Sequence, residues 1–392
     1  MSTQTRSIGR KAGILIFISG ILVLLFSLQW GAFFLLLFSL LLMTVSVGII
    51  CKKLLSASVV VSSVFIILFA AEFVFKLVES NGVGVVQKND AGVYTGGDYL
   101  INYFTRTDIG SQAKPGIHSS VKSAPNGEII YSANYTIGDD GFRVTPNNRK
   151  SNAKKINFFG CSFTFGEGLN DDQTLPFFVA QQSQFAVKNY GFHGYGTQQA
   201  YAILTSRRDT GGSINLYLTS PWHAERAACV PTYVKGSPRY VLEEGVVKQQ
   251  GYCGDGKGSE KSAETGYPVI EKMLGKSTVY NLINRVVSKT TEQNKQLDLY
   301  VALIEKMDSL SKARGQEFVV GYIKANKKWF VGLNSNEAVV QRLKSKGIRV
   351  IDLTLAETYE DINSKYYIHE IDKHPSSKAN EERARVLLRA LQ

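Results

Sequence analysis

The chain has 392 residues, 44% of them hydrophobic, and 45 Lys and Arg against 33 Asp and Glu give a formal net charge of +12. That length accommodates one large domain with additions. The basic residues are scattered, and no basic helix or RNA-reading aromatic motif accompanies them, which argues against a nucleic-acid partner.

The first segment, residues 1–78, reads as a membrane anchor. Three apolar runs, at about 12–30, 31–51 and 56–75, each approach the ~20 residues that an α-helix needs to cross a bilayer. A cleaved signal peptide has a single short apolar core, so three consecutive runs predict permanent anchoring. Arg6, Arg10 and Lys11 precede the first run, Lys52 and Lys53 separate the second from the third, and the Trp30-Gly31 turn carries no charge. By the positive-inside rule the amino terminus and the 52–55 loop are cytoplasmic, and everything after about residue 78 lies across the membrane. Glu72 and Lys76, one turn apart, read as an interfacial ion pair.

Residues 79–150 are rich in Gly, Asn, Asp, Ser and Tyr, with alternating runs such as 128–137, and predict a short β-rich lead-in. Asp139-Asp140-Gly141 reads as a turn, and Pro146 to Arg149 as a hinge. From 151 to 392 strand and helix patterns alternate. Strands are expected at 156–159, 186–189, 214–218, 317–323 and 350–353, and helices at 174–184, 197–207, 292–313, 336–346 and 378–391. An irregular insertion at about 227–266 interrupts them. Such alternation implies an α/β fold, a parallel sheet with helices on both faces. Of four cysteines, Cys51 sits at a membrane boundary and Cys161 beside a serine. Cys229 and Cys253 are left to pair in an oxidising compartment, closing a loop of about 25 residues worth roughly 3 kcal/mol.

The chemistry concentrates in three blocks. Gly160-Cys161-Ser162-Phe163-Thr164-Phe165-Gly166-Glu167-Gly168 places a small-flanked serine straight after an apolar strand, at the crevice where open α/β sheets bind ligands. A serine needs a base, and the base needs an orienting group. Among His118, His193, His223, His369 and His374, the last stands in Asp372-Lys373-His374-Pro375, with a carboxylate two residues away. Pro375 favours an extended His374, and Ser376 or Ser377 can cap the final helix. The third block, Asn189 to Gln198, has three glycines in six residues, a composition that frees backbone N–H groups for an oxyanion hole or simply makes a tight turn.

These blocks resemble the first, second and fifth blocks of the SGNH (GDSL-type) hydrolase superfamily, and His223-x-x-Arg226 after the third strand resembles a membrane-anchored, envelope-associated branch of it, which implies a bacterial inner membrane with the catalytic domain on the periplasmic side. The resemblance covers roughly residues 154–391 and implies a three-layer SGNH-hydrolase-like domain. It implies Ser162 as nucleophile and first oxyanion donor, Gly194 as second donor, His374 as base and Asp372 as its partner. Cys161 stands where the family name has Asp. After the third strand the family's usual Asn is absent, and the turn reads Ser220-Pro221-Trp222-His223-Ala224-Glu225-Arg226. His223 is the expected substitute donor there, or a brace for the turn. Arg226, Tyr195 and Trp222 are expected to face the substrate, and Phe163 and Phe165 to add aromatic surface for sugar rings.

A phosphate loop is excluded, because Gly275-Lys276-Ser277 would require glycine where Ile270 stands. An α/β-hydrolase elbow would require glycine at Thr164. No zinc spacing surrounds Cys229 or Cys253, and no cofactor is expected. The expected activity is hydrolysis of ester-linked acyl groups, acetyl foremost, on an envelope glycan or related ester. An O-acyltransferase using the same residues and a catalytically weak glycan-binding or assembly module are the alternatives; protein partners stay open.

Overall fold

The computed structural model describes residues 11–23, 33–80, 93–97, 102–146, 153–206, 213–255, 278–326, 334–361 and 364–392. The Trp30-Gly31 turn, most of the 146–149 hinge and residues 256–266 of the insertion lie outside them, as do the side chains of Glu72 and Lys76. The chain divides into two compact units, Met1–Gln87 with Ser259–Thr291 and Lys88–Gly258 with Glu292–Gln392.

In the first unit, helices α1 (11–23), α2 (Phe33–Ile50) and α3 (Leu55–Ser80) fall on the three apolar runs. Small residues bring α2 and α3 together: Thr44 and Ser62 share a 2.9 Å hydrogen bond between hydroxyls, and Gly48 faces Ser58 with no room for a side chain. Among the described residues, no helix is long and apolar enough to cross a membrane. The expected spans are therefore not reproduced as such. At 1.5 Å per residue, α2 extends about 27 Å, short of a ~30 Å hydrocarbon core. Helix α3 is longer but carries Ser56, Ser58, Ser62 and Ser63 near its start and Glu72, Lys76 and Glu79 near its end.

The second unit is built on a five-stranded parallel sheet. Its strands are β6 (Lys155–Gly160), β7 (Ala186–Gly191), β8 (Ser213–Thr219), β11 (Glu317–Tyr322) and β12 (Val350–Asp352), in the order β12-β11-β8-β6-β7. Period-two alternation divides their side chains between two layers. Ile156, Phe158, Leu216, Leu218 and Val319 pack against α5 (Leu175–Gln182) and α11 (Ser377–Leu391), through Leu175, Val179, Ala384 and Leu387. On the other face, Phe159, Tyr217, Val320 and Tyr322 share a core with α6 (Thr197–Ser206), the portion of α8 (Thr278–Ala313) from Glu292 onward, and α9 (Asn336–Ser345), while the short α10 (Ala356–Glu360) follows β12. Tyr300, Leu303, Ile304 and Met307 are the buried stripe of α8, spaced as a helical face requires. That helix starts at Thr278 rather than the expected Glu292.

Every strand of the sheet falls within about two residues of its expected position. The order reverses between β6 and β8, and at that switch point the carboxyl ends of both strands open a crevice.

The lead-in belongs to the same unit. Strands β1 (Val93–Gly96), β4 (Gly116–Ser123) and β5 (Ile129–Ile137) form an antiparallel sheet, and β2 (Phe104–Thr107) pairs with β3 (Gly110–Ala113). Tyr103, Tyr131, Tyr135 and Phe142 bury against the α/β core. Arg143 fixes the junction. Fully buried, it donates to the carbonyls of Phe165, Gly166 and Leu169 and to Asp171, while its guanidinium lies 4.6 Å from the Tyr135 ring.

The insertion is more regular than expected. Strands β9 (Pro238–Glu243) and β10 (Val246–Tyr252) form a hairpin around Glu244-Gly245, whose φ values of 50° and 78° make a primed two-residue turn. Cys229 and Cys253 are joined in a disulfide, which ties this hairpin to the end of α7 (Trp222–Ala227).

Candidate active site

Strand β6 ends at Gly160 with φ +154°, where an added Cβ would stand 2.1 Å from Thr164 Oγ1 and 2.8 Å from the Leu218 carbonyl. Only glycine allows the chain to turn so tightly here. Ser162 then opens α4 (Ser162–Phe165), a single helical turn that ends on the left-handed Gly166. At the start of that turn the first N–H groups have no acceptor within the helix, so the Ser162 amide remains available in the crevice.

The loop before α11 brings the other two residues of the expected triad. His374 Nε2 lies 2.9 Å from Ser162 Oγ, and His374 Nδ1 lies 2.6 Å from Asp372 Oδ1. The same Asp372 oxygen accepts the His374 backbone N–H at 3.0 Å, which fixes the ring relative to its own loop. Because an ionised carboxylate only accepts, Nδ1 carries the proton and Nε2 is left as acceptor for the serine hydroxyl. Burial would lower the His374 pKa, but Glu167 and Asp372 outweigh it and hold the imidazole above its ordinary value. Burial likewise disfavours a charged Asp372, yet His374 and Lys122 hold its carboxyl well below the usual range.

Gly194 stands on the loop after β7, which runs beside Gly160: Gly191 pairs with Gly160, and the Phe192 N–H donates to the Gly160 carbonyl. Its φ of +69° is left-handed, and a Cβ would press on the ring of Tyr233. Among the described residues, no acceptor engages the Gly194 N–H.

His223, Arg226, Trp222 and Tyr195 behave differently from one another. His223 is fully buried, with Nδ1 2.7 Å from the Tyr217 hydroxyl and Nε2 3.4 Å from an Arg226 nitrogen. Burial and the Arg226 charge push its pKa well below the ordinary value. A guanidinium only donates, so the neutral ring accepts at Nε2 and keeps its proton on Nδ1, for Tyr217. In this state His223 has no N–H to offer an oxyanion. Arg226 also donates to the Tyr195 carbonyl at 2.8 Å and to the Tyr233 hydroxyl at 3.0 Å.

Tyr195, expected to face the substrate, is buried and donates its hydroxyl to the Ser111 carbonyl. Phe165 is buried too, 4.2 Å from the His193 ring. The aromatic surface beside the triad comes from half-buried Phe163 and Trp222, whose rings meet at 5.4 Å, with Phe163 5.6 Å from His374.

Several residues of the site escaped the sequence reading. Lys122, on β4, reaches Asp372 Oδ2 at 2.8 Å. Glu167 lies 3.6 Å from His374 Nε2 and 2.7 Å from His193 Nδ1, and it accepts from the Tyr94 hydroxyl at 2.5 Å. His193 Nε2 in turn meets the Tyr103 hydroxyl at 3.0 Å. Burial would raise the Glu167 pKa, but the neighbouring His374 and the hydrogen bonds from His193 and Tyr94 bring it down to about 2. A charged residue between two glycines reads as a solvated turn, and nothing local in the sequence signals these contacts. Among the described residues no cluster of side chains is arranged to hold a metal ion.

No family model matches the sequence, and no curated protein matches it. Solved structures do. The chain is similar to a lipolytic protein of the G-D-S-L family from Veillonella parvula, at 14% identity and a TM-score of 0.36, over 60% of this chain and 96% of that one. It is similar to a putative lipolytic G-D-S-L protein from Desulfitobacterium hafniense, at 14% identity and a TM-score of 0.34, over 60% and 98%. A third similarity, at 12% identity and a TM-score of 0.31 over 69% and 73%, is to a carbohydrate esterase of family 2 with a carbohydrate-binding domain from Corynascus thermopiles (Myceliophthora fergusii).

Proposed function

We propose that the protein is a serine ester hydrolase that removes ester-linked acyl groups, acetyl foremost, from a glycan of the bacterial envelope. The observation that carries the reading is the continuous chain from Ser162 Oγ through both ring nitrogens of His374 to Asp372. In the first step Nε2 takes the serine proton as Oγ bonds to the ester carbonyl carbon. The Ser162 and Gly194 N–H groups receive the oxyanion, and the imidazolium passes its proton to the departing sugar oxygen. Water, deprotonated by the same nitrogen, then releases the acid and the free serine. Phe163 and Trp222 supply an apolar rim on which a sugar face can lie.

The membrane belongs to the same proposal. Leu15, Leu22, Val60 and Ile67 are each more than 60% exposed, an arrangement favoured by surrounding hydrocarbon over water. In this reading residues 12–75 anchor the chain, and the Cys229–Cys253 disulfide fits a site on the extracytoplasmic side.

The test is turnover of an aryl acetate by the full-length protein beside Ser162→Ala, with equal circular dichroism. Loss of at least about a thousandfold in the variant is expected. Wild-type turnover no higher than that of the variant sinks the hydrolase reading. Release of acetate from an O-acetylated polysaccharide, absent in the variant, then tests the substrate class.

A further inference from the structure

We propose that Glu167 supplies the negative charge that steadies a protonated His374, while Asp372 serves to orient the ring. This inference rests on the hydrolase reading and assigns the two carboxylates different work. Both are buried, at 6% and 1% side-chain exposure. Their surroundings differ in charge.

Asp372 is half of an ion pair. Its Oδ2 meets Lys122 Nζ at 2.8 Å, and the Lys122 side chain is only 8% exposed, so solvent screens the pair little. Viewed from the imidazole, the lysine offsets part of the Asp372 charge, and Glu167 is the stronger of the two anions. Asp372 adds geometry: Oδ1 grips both Nδ1 and the backbone N–H of His374.

Glu167 is held by neutral donors. Burial lowers the His193 pKa, so that ring is neutral, gives its Nδ1 proton to Glu167 and accepts the Tyr103 hydroxyl at Nε2. Tyr94 donates its hydroxyl to the other carboxylate oxygen. Neither donor cancels the charge, and Glu167 Oε2 stands 3.6 Å from His374 Nε2, the nitrogen that receives the serine proton. Arg143 is close enough to influence His193, but its donors are committed to Asp171 and to the carbonyls of the nucleophile loop. A buried carboxylate with unspent charge finds its counter-ion in the imidazolium that forms during acyl transfer. Glu167 keeps its own proton count throughout; the proton travels only from Ser162 to Nε2 and onward to the leaving oxygen.

The groups around His374 are thus Asp372 on its own loop, Lys122 on β4, Glu167 after the serine turn and His193 after β7. Their signs give opposite predictions. An anion raises the pKa of an imidazole and a cation lowers it. Glu167→Gln moves the His374 titration, read by ring nitrogen NMR on the full-length protein, to lower pH. Lys122→Met, which releases the Asp372 charge, moves it to higher pH. The acid limb of kcat/KM, which requires neutral His374, follows each shift, and Glu167→Gln loses at least about tenfold on the plateau. Glu167→Asp keeps the charge and restores part of both. A Glu167→Gln titration that coincides with wild type overturns the inference. If that variant does not fold, Lys122→Met decides alone, and absence of an upward shift overturns it equally. The titration needs no turnover, so a wild type without serine-dependent activity removes the hydrolase reading and leaves the electrostatic result to stand on its own.

Discussion

Gly160 shows how far the site depends on a missing side chain. A methyl group there would overlap the Thr164 hydroxyl and crowd the Leu218 carbonyl, and both belong to the walls that hold the serine turn. Gly160→Ala is expected to cost about 1–3 kcal/mol, as overpacking of a filled core does, read as a lower denaturant midpoint at unchanged slope. Ser162, His374 and Asp372 were legible because each sits in a short block whose residue types serve one chemistry. Glu167 and Lys122 were not legible. Their meaning comes from partners far along the chain, and on the page each is a charge among polar neighbours. His223 was visible but ambiguous, since its tautomer is set by Arg226 and Tyr217 together, and that requires the three to be seen in place.

At the scale of elements, legibility followed burial. The three central strands, β6, β8 and β11, are enclosed between helices, so their sequences are short, largely apolar runs that stand out from their surroundings. Strand β10 is exposed along almost its whole length and carries Lys248, Gln249 and Gln250, so hydrophobicity gives no sign of it. Its hairpin is fastened by chemistry more than by packing. The Cys229–Cys253 bridge, with 24 residues of separation, holds the segment bearing Tyr233 against Arg226. Reduction, or the double change Cys229→Ser and Cys253→Ser, is expected to lower stability by roughly 3 kcal/mol and to expose residues 230–252 to protease. A melting curve with and without reductant, followed by mapping of the first cleavage, checks both. An unchanged melting temperature and cleavage pattern contradict the fastening role.

For the whole molecule, the fraction in which the protein is recovered tests the proposed anchor. Full-length protein is expected in the membrane pellet after an alkaline carbonate wash, and recovery in the supernatant removes the anchor from the proposal. The α/β unit likewise includes more than its sheet. The lead-in brings Lys122 to Asp372, Tyr94 to Glu167, Tyr103 to His193 and Arg143 to the serine turn, so a variant cut just before β6 would lack the partners that hold Asp372, Glu167 and His193.

Lys122 and Asp372 are 250 positions apart, and that distance sets an order of events as the protein is made. Synthesis begins at the amino end, so the lysine and the serine emerge long before the histidine exists. A buried lysine without its carboxylate is costly, so the native burial of Lys122 is complete only once Asp372 has been made. The serine has no base during that interval. The serine–histidine pair proposed for ester cleavage is therefore assembled only after Asp372 and His374 have been made.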